Sequence, residues 1–305
     1  MTSNPLLQQP FSGIIPPMVT PLLDDNTIDK VGLERLIEHL IQGGVHGIFV
    51  LGTTGEAPSL PYSLRRELVK LTCEQVDGRI PIMVGVTDSS PAESLRLAEF
   101  SSEVGASAAV AAPPYYFGLD QSELVEYYWS LAERLPLPLY LYNMPSHTKI
   151  AISIGAVETL SKHPNIIGLK DSSGNAVYFN GVLHAMKEDP SFSLLVGPEE
   201  MMASSVLMGG HGGVNGGANL FPMLYVELYQ AAVDRNHGKV MRLQRKVMEI
   251  SKRLYGVGKT GSSYLQGLKA GLRVLGICND HLSSPLRGFE DPEKTQIKEH
   301  LRHLQ

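Results

Sequence analysis

The chain has 305 residues, a formal net charge of −5, 43% hydrophobic residues and 19% charged residues. That balance excludes a disordered chain, which needs low hydrophobicity with high charge, and the lack of a basic stripe argues against a nucleic-acid partner. No apolar run approaches the roughly 18 residues of a membrane span, and residues 1–5 lack the basic-then-apolar layout of a secretory signal.

In chain order, short apolar runs alternate with amphipathic stretches. Strands are expected over 14–19, 47–51, 80–84, 108–112, 137–142, 166–170, 192–196 and 213–216. The clearest helix has Leu33, Leu36, Ile37, Leu40 and Ile41 on one face and stops at Gly43-Gly44, a C-terminal signal. Further helical patterns cover 63–76, 92–104, 122–135, 154–162, 175–187 and 199–208. Eight such units in about 220 residues suit an α/β fold, a closed (β/α)8 TIM barrel. A doubly wound open sheet has the same periodicity and stays open as an alternative. After residue 220 the strands cease, and helices follow over 223–233, 240–254, 263–275 and 292–304. The expected organisation is a barrel over 1–220, with a C-terminal helical extension over 221–305 docked on it as a bundle.

Cys73 and Cys278 sit among apolar neighbours, so buried thiols and a reducing, cytoplasmic location are expected. The thirty glycines exceed the usual share, and twelve of them fall within 43–55 and 197–217. Those windows adjoin strands two, seven and eight, where turns approach whatever the barrel binds.

Reactive groups of such a barrel collect at the C-terminal ends of its strands. Strand two ends in Gly52-Thr53-Thr54-Gly55-Glu56, either a turn whose backbone N–H groups and hydroxyls can hold a carboxylate or phosphate, or an ordinary polar turn before a helix. Strand five carries Tyr140 and Tyr142 on one face by alternation. A buried phenol at the strand's end is a candidate proton carrier or a plain core residue. Strand six ends in Gly168-Leu169-Lys170-Asp171-Ser172. Lys170 shares parity with Ile166 and Gly168 and is expected to face inward, with Gly168 leaving room for its stem. Desolvation there would lower an amine's pKa and make it nucleophilic; a lysine capping the strand end in water is the other reading.

A carboxylate-holding turn, a phenol and an inward lysine together suit Schiff-base chemistry on a 2-oxo acid. With Tyr142-Asn143-Met144-Pro145 and Gly209-Gly210-His211-Gly212-Gly213-Val214 in addition, the sequence resembles the dihydrodipicolinate synthase/N-acetylneuraminate lyase family of pyruvate-dependent class I aldolases over nearly its whole length. The resemblance implies that Lys170 forms the imine and Tyr142 is the general acid/base. Thr53 and Thr54 would meet the substrate carboxylate, Thr53 also relaying protons to Tyr142. It implies that Tyr116 reaches into a neighbour's site across a dimer interface, in a homotetramer built as a dimer of dimers. It also implies a small-molecule 2-oxo acid substrate, and no metal or organic cofactor beyond the covalent imine on Lys170.

Two departures bear on the substrate. The synthases of the family carry an arginine where His147 stands here, and imidazole cannot make a bidentate fork to a carboxylate. Tyr62 and Arg65 stand where histidines bind feedback lysine in some synthases. In Gly197-Pro198-Glu199-Glu200, the family's sugar-acid lyases place acids that receive substrate hydroxyls. Glu199 and Glu200 therefore favour a polyhydroxylated substrate over their other reading, a helix start. Gly197, Ser172 and Val214 complete the expected substrate-binding set. Gly256-Val257-Gly258-Lys259-Thr260 resembles part of a phosphate loop, but Arg253 stands at its upstream glycine. The histidines form no metal-ligand pattern. The expected function is a lyase acting on a 2-oxo-3-deoxy sugar acid or a 4-hydroxy-2-oxo acid. The alternatives are a dihydrodipicolinate synthase, using pyruvate and aspartate semialdehyde, and a non-catalytic barrel relative.

Overall fold

A computed structural model describes residues 6–304; residues 1–5, which lack the layout of a secretory signal, lie outside the described residues. Eight parallel strands form one sheet: β1 (Gly13–Ile14), β2 (Ile48–Val50), β3 (Ile82–Gly85), β4 (Ala108–Ala111), β5 (Leu139–Asn143), β6 (Ile166–Asp171), β7 (Ser193–Val196) and β8 (Gly212–Gly213). Ladder pairing runs from β1 to β8, then back through β7, β6, β5, β4 and β3 to β2. The remaining seam is closed just after β1, where Phe49 N donates to Pro16 O at 2.9 Å and Met18 N to Phe49 O at 2.8 Å. The sheet is thus the closed barrel, not the open alternative. Its first strand is shorter than the 14–19 expected because Pro16 and Pro17 have no N–H to give a ladder.

The barrel helices are α1 (Lys30–Gln42), α2 (Tyr62–Val76), α3 (Pro91–Glu103), α4 (Gln121–Arg134), α5 (Ile154–Leu160), α6 (Ala176–Ala185), α7 (Met202–Leu207) and α8 (Pro222–Val233). Leu33, Leu36, Ile37 and Leu40 of α1 are buried, as their spacing requires. Asp29 caps α1, accepting from Gly32 N at 2.9 Å, and Asp120 with Glu123 forms a capping box on α4. A hairpin of Leu22–Asp24 with Thr27–Ile28 and a single turn at Pro145–Thr148 were not legible in the periodicity. Beyond α8 come α9 (His237–Ile250), a π-helical turn (Ser251–Tyr255), α10 (Ser263–Val274) and α11 (Asp291–Leu304). The continuous helix expected over 240–254 therefore changes its winding at Ser251. Among the described residues, no helix is long and apolar enough to cross a membrane. Cys73 and Cys278 are buried free thiols.

Two apolar compartments result. One lies between strands and helices; the other fills the barrel with Ile15, Phe49, Met83, Val110, Tyr140, Leu195 and Val214. Ala108 on β4 and Ala112 just beyond it stay small beside the two inward tyrosines of β5, the large-against-small filling that a closed barrel needs.

The parity expected along β6 needs a correction. Leu139 pairs with Ile166 but Tyr140 with Gly168, so Ile167 is an extra residue at a register shift. Ile166 consequently joins the outer compartment while Ile167 joins the inner one. Lys170 still faces inward because alternation resumes at Gly168. The space at Gly168 is also used otherwise than expected: a Cβ there would stand 2.4 Å from the Tyr140 ring. That ring, together with the Ser193 carbonyl oxygen 2.6 Å from the same point, requires the glycine.

Candidate active site

Tyr142 and Lys170 are register partners at the ends of β5 and β6. Lys170 is 4% exposed, and its Nζ lies 4.0 Å from the Tyr142 ring centroid and 4.7 Å from that of Phe49. Burial holds its pKa below the ordinary 10.5, with the contact to Tyr142 opposing part of the shift. One residue further along each strand, Asn143 Nδ2 donates to Asp171 Oδ1 at 2.8 Å. Ile152 N donates to Asn143 Oδ1 at 3.0 Å, and Ser173 donates to Asp171 through its backbone N–H and its hydroxyl. This buried clamp fixes the two strand ends, and with them the spacing of Tyr142 and Lys170.

The turn after β2 is the second component. Leu51 (φ 57) and Glu56 (φ 58) both adopt the left-handed backbone region, an unfavourable state for side-chain-bearing residues that fold context must impose. Between them, the N–H groups of Thr53 and Thr54 donate to no acceptor among the described residues. Thr53 Oγ1 lies 3.2 Å from Tyr142 Oη, and Thr54 Oγ1 lies 3.3 Å from Tyr264 Oη on α10. Gly85, ending β3, leaves space for the Leu51 carbonyl, since a Cβ there would stand 2.1 Å from that oxygen. Gly85→Ala should therefore displace the turn. We expect a loss of about 1–3 kcal/mol in denaturant unfolding, from overpacking, together with a raised KM for any substrate whose carboxylate the turn holds.

A cavity of about 210 Å³ opens on these groups, lined by Thr53, Thr87, Tyr115, Tyr142, Met144 and His147 among others. His147 Nδ1 lies 3.0 Å from Ser146 Oγ, and partial burial and then Lys149 hold its pKa below 6.5. The imidazole at the mouth is thus mainly neutral near pH 7.

The remaining expected site residues are placed as follows. Ser172 N donates to Asn143 O at 2.8 Å, Gly197 N to Asp171 O at 2.7 Å, and Val214 N to Val196 O at 2.8 Å, beside the strand ends. Tyr116 is 78% exposed and does not line this cavity, whereas Tyr115 does. Tyr62 and Arg65 both close on Asp88, at 3.0 Å and 3.4 Å. Glu199 departs from expectation. Its carboxylate is buried and accepts from Tyr225 Oη (2.6 Å), Tyr255 Oη (2.9 Å) and Gly217 N (2.8 Å). Burial pushes its pKa up to about 7. Glu200 accepts from Ser251 at 2.5 Å. Both oxygens of Glu199 are thus taken by donors from residues 217, 225 and 255, beyond the reach of local pattern, whereas Glu200 stays exposed with one oxygen bonded to Ser251. Phe49 and Tyr264 were missed. Strand alternation between Ile48 and Val50 could have found Phe49; nothing local points to Tyr264, 210 residues from its partner Thr54.

Residues 10–304 match the model of the dihydrodipicolinate synthetase family. The chain belongs to that family. Its members are lyases, and this chain is a lyase of the same kind. It is similar to a Bacteroides thetaiotaomicron structure described as dihydrodipicolinate synthase, with 55% identity, a TM-score of 0.95 and coverage of 97% and 99% of the two chains. It is 29% identical to the putative 2-dehydro-3-deoxy-D-gluconate aldolase YagE of Escherichia coli, over 96% of this chain and 97% of YagE. A YagE structure in complex with pyruvate superposes with a TM-score of 0.91, covering 96% of this chain and 98% of that one. A 4-hydroxy-tetrahydrodipicolinate synthase of Aromatoleum aromaticum is 36% identical, over 81% of this chain and 82% of its own.

Proposed function

We propose that this lyase joins pyruvate to, or releases it from, a neutral hydroxylated aldehyde, through an imine on Lys170. The observation that carries the reading is the buried Lys170 amine packed on Tyr142, whose hydroxyl meets Thr53. The free amine attacks the 2-oxo carbon and water leaves, giving a protonated imine that withdraws electrons from C3. Removal of a C3 proton, or cleavage of the C3–C4 bond, leaves the enamine. Tyr142 exchanges a proton with the C4 oxygen, and the Thr53 hydroxyl carries that proton onward. The amides and hydroxyls of Thr53 and Thr54 hold the carboxylate. The lysine is the electron sink, so the reaction needs no metal or organic cofactor.

The neutral His147 at the mouth supports an uncharged aldehyde, hence a 2-oxo-3-deoxy sugar acid or 4-hydroxy-2-oxo acid as the cleavable substrate. The second reading, condensation of pyruvate with aspartate semialdehyde, is favoured by the 55% identity to the Bacteroides chain described as a dihydrodipicolinate synthase. The exposed aromatics Tyr115, Tyr116 and Phe117 on one loop support burial against a second copy. Tyr116 would then enter the partner's site, within a dimer of dimers. The free buried thiols support a cytoplasmic location.

Borohydride reduction with pyruvate tests the chemistry: a reduced adduct is expected on the Lys170 peptide, and its absence from folded enzyme overturns the imine. Assay of a panel of 2-oxo-3-deoxy acids beside aspartate semialdehyde plus pyruvate tests the substrate. Cleavage of at least one sugar acid is expected; brisk condensation of the semialdehyde with no cleavage reverses the order of the two readings.

A further inference from the structure

The carboxylate-holding turn ends on a residue that the reaction leaves unused. The side chain of Glu56 is fully buried, as is that of Lys269 on α10, and Lys269 Nζ lies 2.5 Å from Glu56 Oε1. Glu56 Oε2 accepts from Ser283 N at 2.7 Å, and Lys269 Nζ donates to His281 O at 2.6 Å. Ser283 Oγ donates in turn to Ser59 O at 3.1 Å, just beyond the turn. A strand-end turn of the barrel and two separate C-terminal segments therefore meet on one buried ion pair.

Such a pair is a weak source of stability, because desolvation offsets most of the attraction and an apolar pair of similar volume does as well or better. What it can supply is direction, since few backbone arrangements satisfy a carboxylate and an ammonium away from water. This one is attached at Glu56, whose left-handed backbone is free to relax once the anchor is lost. Two residues away lies Thr54, with its unpaired N–H and its hydroxyl held by Tyr264 of the same helix.

We infer that the Glu56–Lys269 pair is a positioning device, by which α10 holds the turn in the conformation that receives the carboxylate of the 2-oxo acid. The inference rests on the imine reading and concerns its carboxylate subsite. A carboxylate-free ketone reaches Lys170 without using the turn, so loss of the pair should penalise pyruvate and spare acetone.

Lys269→Met alone strands a buried carboxylate, which by itself endangers folding. The double variant Glu56→Gln/Lys269→Met removes both charges and keeps a carbonyl oxygen for Ser283 N–H. Borohydride inactivation is titrated separately with pyruvate and with acetone, in wild type and in the double variant, with near-UV circular dichroism reporting the fold. Half-saturating pyruvate should rise about tenfold (about 1.4 kcal/mol) in the folded variant, with acetone unchanged within about twofold. An unchanged pyruvate titration, or equal losses with both ketones, overturns the positioning role. A wild type that forms no adduct with pyruvate removes the imine, and this inference with it.

Discussion

Lys170→Arg should retain the barrel and lose turnover by at least ~10³-fold, with no borohydride-trapped pyruvate on the protein. The guanidinium stays protonated and cannot attack a carbonyl, whatever its position. Lys170→Met should be equally inactive but more stable than wild type by ~0.5–2 kcal/mol, because it removes a desolvated amine from between two aromatic rings. That gain depends on pH. Lys170 has a depressed pKa in the folded state, so between that value and the ordinary 10.5 the unfolded chain binds more protons. Wild-type stability therefore rises with pH through this window, and the advantage of the Met variant shrinks. Denaturant unfolding of both proteins at several pH values reads this directly. An advantage that grows with pH, or a Lys170→Arg enzyme with substantial turnover, contradicts the assignment.

Tyr142→Phe should lower kcat by ~10²–10⁴-fold, the range for a lost general acid/base. The aromatic ring over Lys170 remains, so the fold and the lysine's packing should survive, and a pyruvate adduct should still be trapped. The deficit belongs to the carbon–carbon step, where the C4 oxygen needs its proton. Single-turnover cleavage compared with adduct formation separates the two steps. Turnover within tenfold of wild type would assign the proton to another group, such as the Thr53 hydroxyl 3.2 Å from the phenol.

Much of this site was legible because it lies at strand ends, where period-two alternation and barrel geometry together assign a direction. That gave Tyr142, Lys170 and the Thr53-Thr54 turn their places; singly each also read as a core or surface residue, and only their combination and the family resemblance pointed to chemistry. The same logic failed where the ladder itself is irregular. The extra residue at Ile167 breaks parity along β6, and no local pattern marks a register shift that depends on the neighbouring strand. It failed again at Glu199, which reads as a free acid beside a strand end. The tyrosines that bind it come from α8 and from the π-helical turn, 26 and 56 residues later. Gly168 was recognised as a space, but the occupant was misjudged, since which ring fills a barrel layer depends on all the strands that line it.

By itself, the sequence determined the alternation of strands and helices, the placing of a lysine and a tyrosine at adjacent strand ends, and the glycine-bracketed turn after strand two. These are consequences of backbone periodicity and turn chemistry, which act over a few residues. Only the tertiary structure decided what surrounds those groups. It seats Lys170 between Phe49 and Tyr142, binds Thr54 to Tyr264, and joins Glu56 to Lys269. Each of these contacts joins segments remote in sequence, and it is burial among such segments that changes the acidity of an amine or fixes the shape of a turn.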